Sequence, residues 1–331
     1  MHQGPLAVAV RPENVATLGI THMNHRFLSI QTSAFSGATL LAFLLDSHPD
    51  IVSIGEMDGL IQREDPKEYL CSCGERIEEC PFWSAVCDAM NRQGFHFDTA
   101  HFDTKFSGSD GSLLTRRLKT GSLRSNTLDA IRDGFLYNVS PQRHRMRERI
   151  RRNVALIESA LSVTGKSVFV DSSKEYLRPR YLKRFSGLAV RVIHLFRDPR
   201  GFVASRLKRD PNLIVEKIVS QWVKENRRIL RTLDGFPKSK RLVVSYEHLC
   251  ANPRGVLPGV FRFCGVDPGI WNEDFRASPH HIVGNPMRLK QSSEIAVDER
   301  WKEVLTRLQC EEIERNGGAF HEKLRRLAKA C

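Results

Sequence analysis

One junction near the start of this chain limits what it can fold into more than any other feature. Phe27-Leu-Ser-Ile30 reads as a short buried strand. Thr32–Ala38 is a loop of small and hydroxyl residues, and Thr39–Leu45 is apolar over helical length. The stretch closes on Ser47-His48-Pro49, where proline blocks further helix. Strand, glycine-bearing loop and helix in this order aim backbone N–H groups at whatever sits above the helix N-terminus, and an anion is favoured there. Ser36, Gly37 and Thr39 suit such a cradle, because glycine lets the backbone approach and hydroxyls donate. The GxxxxGK[ST] spacing of a Walker A loop is absent.

A loop of this kind works at the end of a parallel strand, and the rest of the chain supplies more strands. Ser167–Val170, Val190–Phe196 and Arg241–Ser245 are short apolar runs bounded by turn residues. Helices are expected over Arg143–Leu161 with a stop at Gly165, over Val215–Leu230 and over Gly255–Cys264. Asp198 and Pro199 have the character of an N-cap and a first helical residue, so another helix begins there. Alternating strands and helices predict an α/β fold with a central, mostly parallel sheet flanked by helices on both faces. The expected organisation is an N-terminal extension over 1–25 and one domain over 26–310. That domain carries an insertion or cap at about 57–150, and a helical tail covers 311–331. The Gly/Ser/Asp-rich stretch Phe106–Ser125 belongs to the insertion and has little periodicity.

Charge and cysteine content narrow the class. A net charge of +13 fits an anionic ligand, an acidic acceptor, nucleic acid or an anionic membrane. Much of it lies in Arg143–Arg152 and Arg178–Arg184, and either run also reads as the solvated face of a helix. No apolar run approaches the ~18–20 residues that span a bilayer. Leu6–Val10 has no basic segment before it, so a cytoplasmic protein without a secretory signal is expected. Eight cysteines in a chain of 331 residues do not make a disulfide framework. Cys71, Cys73, Cys80 and Cys87 cluster in sequence, open to zinc, to a local disulfide or to free thiols. C-x-C-x6-C is not a standard zinc knuckle, so no metal is expected.

A second phosphate site is written into Val192–Ser205 (VIHLFRDPRGFVAS). Arg197 follows a strand directly and precedes a capped helix start, with Ser205 one further turn or two along. The same arginine could instead satisfy strand-end carbonyls and pair with Asp198. With Gln31–Asp50 (QTSAFSGATLLAFLLDSHPD), this segment resembles the nucleotide motifs of sulfotransferases that use 3′-phosphoadenosine 5′-phosphosulfate (PAPS), in their bacterial and carbohydrate branches. Cys71–Trp83, Val168–Lys174, Val244–Leu249 and His281–Arg288 are similar to bacterial members too, in the same order along the chain.

The resemblance implies the P-loop-like sulfotransferase fold, with PAPS as co-substrate and no required metal. It implies that Ser36, Gly37, Ala38, Thr39 and Leu40 cradle the 5′-phosphosulfate and that Arg197 and Ser205 hold the 3′-phosphate. Gly284, Asn285 and Arg288 would close over the nucleotide. The implied reaction is in-line transfer of the sulfuryl group to a hydroxyl or amine of a small-molecule, carbohydrate or other hydroxylated acceptor, with no nucleic acid partner. Glu56 would be the base, as the glutamate of a Gly-Glu pair after the D-x-H-P ending, although a carboxylate near a helix start reads the same way.

One departure stands out. The family places lysine or arginine before the Ser-Gly pair, and this chain has Phe35. A cation lost there costs transition-state stabilisation at the leaving group. Lys174, at the end of another strand, is the expected substitute, or else a solvated lysine at a helix start. Two other readings follow: a nucleotide-binding relative with weak or no catalysis, and a basic nucleic-acid-binding protein. His194 lies mid-strand and is expected to be a hydrogen-bonded core residue, and His48 to be structural; His280 and His281 are open.

Overall fold

The computed structural model describes residues 25–60, 65–107 and 126–329. The 1–24 part of the expected N-terminal extension, most of the Phe106–Ser125 stretch and the last two residues of the tail lie outside it. Five strands form one sheet: β1 (Arg26–Gln31), β2 (Ile51–Gly55), β3 (Val168–Asp171), β4 (Ala189–Phe196) and β5 (Arg241–Ser245). Their order is β2-β3-β1-β4-β5, and every pairing is parallel. The helices are α1 (Ala38–Asp46), α2 (Pro81–Arg92), α3 (Asn126–Asn138), α4 (Arg143–Thr164), α5 (Leu177–Phe185) and α6 (Pro199–Leu207). They continue with α7 (Val215–Asp234), α8 (Tyr246–Ala251), α9 (Pro253–Cys264), α10 (Trp301–Val304), α11 (Arg307–Ile313) and α12 (Ala319–Lys329). A π-helical turn, Glu314–Gly318, joins the last two.

Side chains of a strand alternate between faces, and the two faces of this sheet bury separate cores. Phe27, Phe169, Val192 and Phe196 meet α2, α4 and α7 on one side. Leu28, Ile30, Val170, Ile193 and Leu195 meet α1 and α9 on the other. The α/β prediction with a parallel sheet is thus correct, and "mostly" becomes "entirely" for these five strands. β2 was not foreseen. Ile51-Val-Ser-Ile-Gly55 follows Pro49 without the turn signals that bound the other strands, and α1 reverses into it through buried side chains. Asp46 accepts from the Ser53 amide at 2.7 Å and also contacts His280, while His48 accepts from the Asp50 amide and reaches the Asp267 carbonyl. His48 and His280 are therefore structural.

The second basic run needs correction as a surface feature. Arg178 is wholly buried, bound to Asp171 at 2.9 Å and to Asp58 at 2.7 Å, with Asn153 at 2.8 Å. Arg180 lies between Asp129 and Asp133. A guanidinium wrapped by carboxylates needs those partners to be stable indoors, so it adds nothing to an outward field. In the first run, Met146 and Ile150 are buried while Arg147 lies over the Tyr137 ring and Arg152 donates to the Phe102 and His96 carbonyls.

His194 is fully buried, with Nε2 2.8 Å from Asn226 Oδ1. Burial pushes its pKa down from 6.5 to about 4, against a smaller upward pull from Asn226. The fold thus prefers neutral imidazole, so its contribution is complete above pH 6.5 and fades as pH falls toward 4. Between pH 7 and pH 5 the native state should lose roughly 2 kcal/mol through this residue. Denaturant unfolding at both pH values checks this: His194→Gln should flatten the pH slope by about one proton. Equal slopes in the two proteins would contradict it.

Candidate active site

Parallel strands all end on the same edge, and here the strand order sets the candidate residues in a row. Moving across the sheet, β2 leads to Glu56, β3 to Lys174, β1 to the 32–37 loop, β4 to Arg197, and β5 to Tyr246. With neighbouring strands ~4.8 Å apart, the row from β2 to β4 is on the order of 14 Å long. This is the edge at which open α/β sheets bind ligands.

The loop in the middle is built to present backbone. Ser33 and Ser36 are buried and bonded to each other through their hydroxyls at 2.9 Å. Gly37, the N-cap of α1, has φ +86°, and no side chain caps the helix. The first-turn amides of α1 therefore remain open to an acceptor from outside. A Cβ on Gly37 would overlap the Tyr246 ring, so glycine is required twice over. Ala38 and Leu40 are buried and offer only backbone. Phe35 also has a left-handed backbone, φ +59°, which is costly for a bulky residue. It is held there: Arg197 donates to its carbonyl at 2.8 Å, and the Arg209 guanidinium stacks on its ring at 4.5 Å. Arg209 is a cation at the Phe35 position that the sequence reading missed, since nothing in the spacing of Arg209 points back to residue 35.

Arg197 joins the row's elements. Besides Phe35, its guanidinium meets the Asp298 carboxylate at 3.0 Å and lies over the Tyr246 ring at 4.9 Å. Its partner is not Asp198, whose carboxylate caps α6 through the Arg200 amide and pairs with Arg200. Ser205, one face of α6 along, donates to the Gly201 carbonyl at 2.8 Å. A cavity of about 550 Å³ lies against Arg197, Ser205, Lys208, Asp298, Arg300 and Trp301, within the range of small-ligand sites. Hydrogen bonds from Arg300, against the effect of burial, and then from Arg197 hold the Asp298 carboxyl far below the usual carboxylate range. Asp298 therefore presents a permanent anion to the guanidinium face that a phosphate would take.

At the other end of the row, Lys174 Nζ donates to Glu56 Oε1 at 3.0 Å, with both side chains partly exposed. Lys174 also sits in a left-handed conformation, φ +64°. The 284–288 segment, expected to close over the nucleotide, lies beside Glu56. Gly284 lies against Glu56, where a Cβ would stand 2.9 Å from Cγ. Asn285 caps the following turn through the Met287 amide. Arg288 is only 2% exposed; it donates to the Leu70 and Gly284 carbonyls and lies over the Tyr69 ring at 4.0 Å. A guanidinium so enclosed braces the segment beneath the Glu56 end.

Residues 143–273 match the model of the Sulfotransferase family, a stretch that carries Lys174, Arg197, Ser205 and Tyr246. Over that stretch the chain is similar to the sulfotransferase family. Among solved structures, the sulfotransferase domain of the Synechococcus PCC 7002 olefin synthase is 18% identical, with a TM-score of 0.47 over 89% of this chain and 96% of that one. The sulfotransferase domain from the curacin biosynthetic pathway is 16% identical, TM-score 0.45, over 88% and 97%. A sulfotransferase from Alicyclobacillus acidocaldarius is 14% identical, TM-score 0.36, over 92% and 100%. No curated protein matches the chain. The 32–38 loop and Glu56 lie outside the 143–273 match, and the sheet brings them beside it.

Asp298→Asn removes the carboxylate facing Arg197. The expected result is about tenfold tighter calorimetric binding of adenosine 3′,5′-bisphosphate, equivalent to ~1.4 kcal/mol. Weaker binding would mean that Asp298 orients Arg197 and does not compete for it.

Proposed function

We propose that the protein is a PAPS-dependent sulfotransferase that transfers the sulfuryl group to a hydroxyl or amine acceptor. The observation that carries this reading is the row itself: an uncapped helix start, an arginine beside a cavity, and a carboxylate–lysine pair along one sheet edge. In this reading the amides of Ser36 to Leu40 take the 5′-phosphosulfate. Arg197 and Ser205 take the 3′-phosphate, with Asp298 giving way to it.

The acceptor oxygen attacks sulfur in line, and the bond from sulfur to the 5′-phosphate oxygen breaks, leaving its electron pair on adenosine 3′,5′-bisphosphate. Glu56 accepts the acceptor's proton. Lys174 at 3.0 Å holds the Glu56 carboxylate in place and puts positive charge where the leaving oxygen develops negative charge. Catalysis is positioning and electrostatics, as for phosphoryl transfer, and no step calls on a metal. The acceptor class is a small molecule or carbohydrate bearing hydroxyls. No helix among the described residues is long and apolar enough to cross a membrane, and a cytoplasmic location remains part of the proposal.

Incubation with sulfur-labelled PAPS and a panel of phenol, sugar and amine acceptors, following release of adenosine 3′,5′-bisphosphate, tests the reading. Glu56→Gln should lower kcat by about 10²–10⁴ with bisphosphate affinity unchanged. Failure of the wild type to form bisphosphate with any acceptor, while still binding it, would favour the second reading.

That second reading, a nucleotide-binding relative with weak turnover, is supported by Phe35 standing in a strained conformation where the family has a cation. Phe35→Arg should then raise turnover at least tenfold. Loss of turnover on that substitution would instead show that Lys174 and Arg209 already supply the charge.

A further inference from the structure

Cys71, Cys73, Cys80 and His281 converge on one point, and their four donor atoms all lie within 4.8 Å of one another. From this we propose that the protein carries a structural Cys3His zinc site, distinct from the nucleotide cleft. By sequence, Cys87 is the fourth cysteine of the cluster. Cys87 is not in the group, and His281, 201 residues beyond Cys80, takes its place.

The spacings are those of a tetrahedral ion. With Zn–S ~2.3 Å and Zn–N ~2.0–2.1 Å, tetrahedral geometry requires S···S of about 3.8 Å and S···N of about 3.5 Å. Cys73 Sγ and Cys80 Sγ are 3.7 Å apart, and His281 Nδ1 is 3.8 Å from Cys71 Sγ and 3.3 Å from Cys80 Sγ. Three thiolates and a neutral imidazole are the donors zinc prefers.

The backbone around the site is arranged for it. Cys71 and Cys73 sit on a tight turn closed by the Cys71 amide on the Glu75 carbonyl at 2.9 Å and the Gly74 amide on the Cys71 carbonyl at 3.0 Å. A bridge between Leu70 and Arg76 ties the base of that turn. Cys80 is the N-cap of α2, followed by Pro81, where the helix start favours a thiolate. Phe82, on the first turn of α2, stacks flat on the His281 ring with centroids 4.6 Å apart and planes 8° from parallel, which fixes the ring.

Four protein ligands leave no position for water or substrate, so the ion is structural. What it holds together is specific. The Ile282 amide donates to Ser72 Oγ at 2.8 Å, and Val283 pairs with β2 through Ile54 and Glu56. Gly284 then packs on the Glu56 side chain. The ion thus clips the inserted hairpin and α2 to the segment that supports Glu56. Binding requires Cys71, Cys73 and Cys80 to lose their protons to solvent, and no redox step is involved.

Elemental analysis of the full-length protein, purified under reducing conditions from zinc-containing medium, should find about one zinc per chain, as four ligands from one chain predict. X-ray absorption at the zinc edge should give three sulfur neighbours at ~2.3 Å and one nitrogen at ~2.0 Å. His281→Ala should lose zinc to a competing chelator at least tenfold more readily, while Cys87→Ser retains it. Because the histidine variant could misfold, the wild type reconstituted with Co²⁺ provides a second readout, the visible ligand-field bands of tetrahedral cobalt–thiolate. Folded, reduced wild type that holds neither zinc nor cobalt would overturn the proposal. So would a Cys73–Cys80 disulfide in metal-free protein of undiminished thermal stability.

Discussion

Parallel pairing obliges every strand of this sheet to run the same way, and the rest of the molecule follows from that obligation. The amide-rich turn after β1 sits at mid-sheet because β3 and β4 flank β1. Loops after β3 and β4 consequently flank the turn, bringing Lys174 to one side and Arg197 to the other. Arg197 then secures the arrangement by bonding the Phe35 carbonyl and lying over Tyr246, whose ring abuts Gly37. A single guanidinium thus joins the ends of β1, β4 and β5, and the cavity beside it inherits their geometry.

The same edge explains why buried charge is concentrated behind it. Asp171, at the end of β3, accepts from the Ser173 amide at 3.0 Å and from the Met57 amide at 3.4 Å, and pairs with Arg178. Glu175 accepts from the Phe106 and Ser107 amides. These carboxylates fix the turn that places Lys174 and anchor the inserted segment to the sheet. A buried pair of this kind is weak evidence for stability, but removing one partner leaves a stranded charge at a cost of about 3–5 kcal/mol. The network therefore defines one conformation for the end of β3 that leads to Lys174.

Much of this was legible in the sequence because short-range signals carry it. The loop at 32–38, the Asp198-Pro199 helix start and the stop at Gly165 are local chemistry, and the structure has α1, α6 and α4 where those signals put them. β2 escaped notice because Asp46 and His48, which lead into it, are held by His280 and the Asp267 carbonyl, 234 and 219 residues away in sequence. The setting of Arg288 is hidden for a related reason: one arginine near a Gly-Asn pair does not say in sequence that it lies over the Tyr69 ring. Asp298 and Arg209 carry no sequence signal and the role of His281 stays open, since their partners lie 101, 174 and 201 residues away in sequence. Residue type states what a side chain can do, and only the fold states what it faces.

The central claim is that the β4 end of the row recognises a nucleotide through its 3′-phosphate. Calorimetric titration of wild type and Arg197→Ala with adenosine 3′,5′-bisphosphate, ATP and AMP tests it most directly. The account predicts a preference for the bisphosphate of at least a hundredfold over AMP, about 2.7 kcal/mol, that collapses in the variant. Equal affinity for the three nucleotides, or a preference untouched by the loss of Arg197, would contradict it.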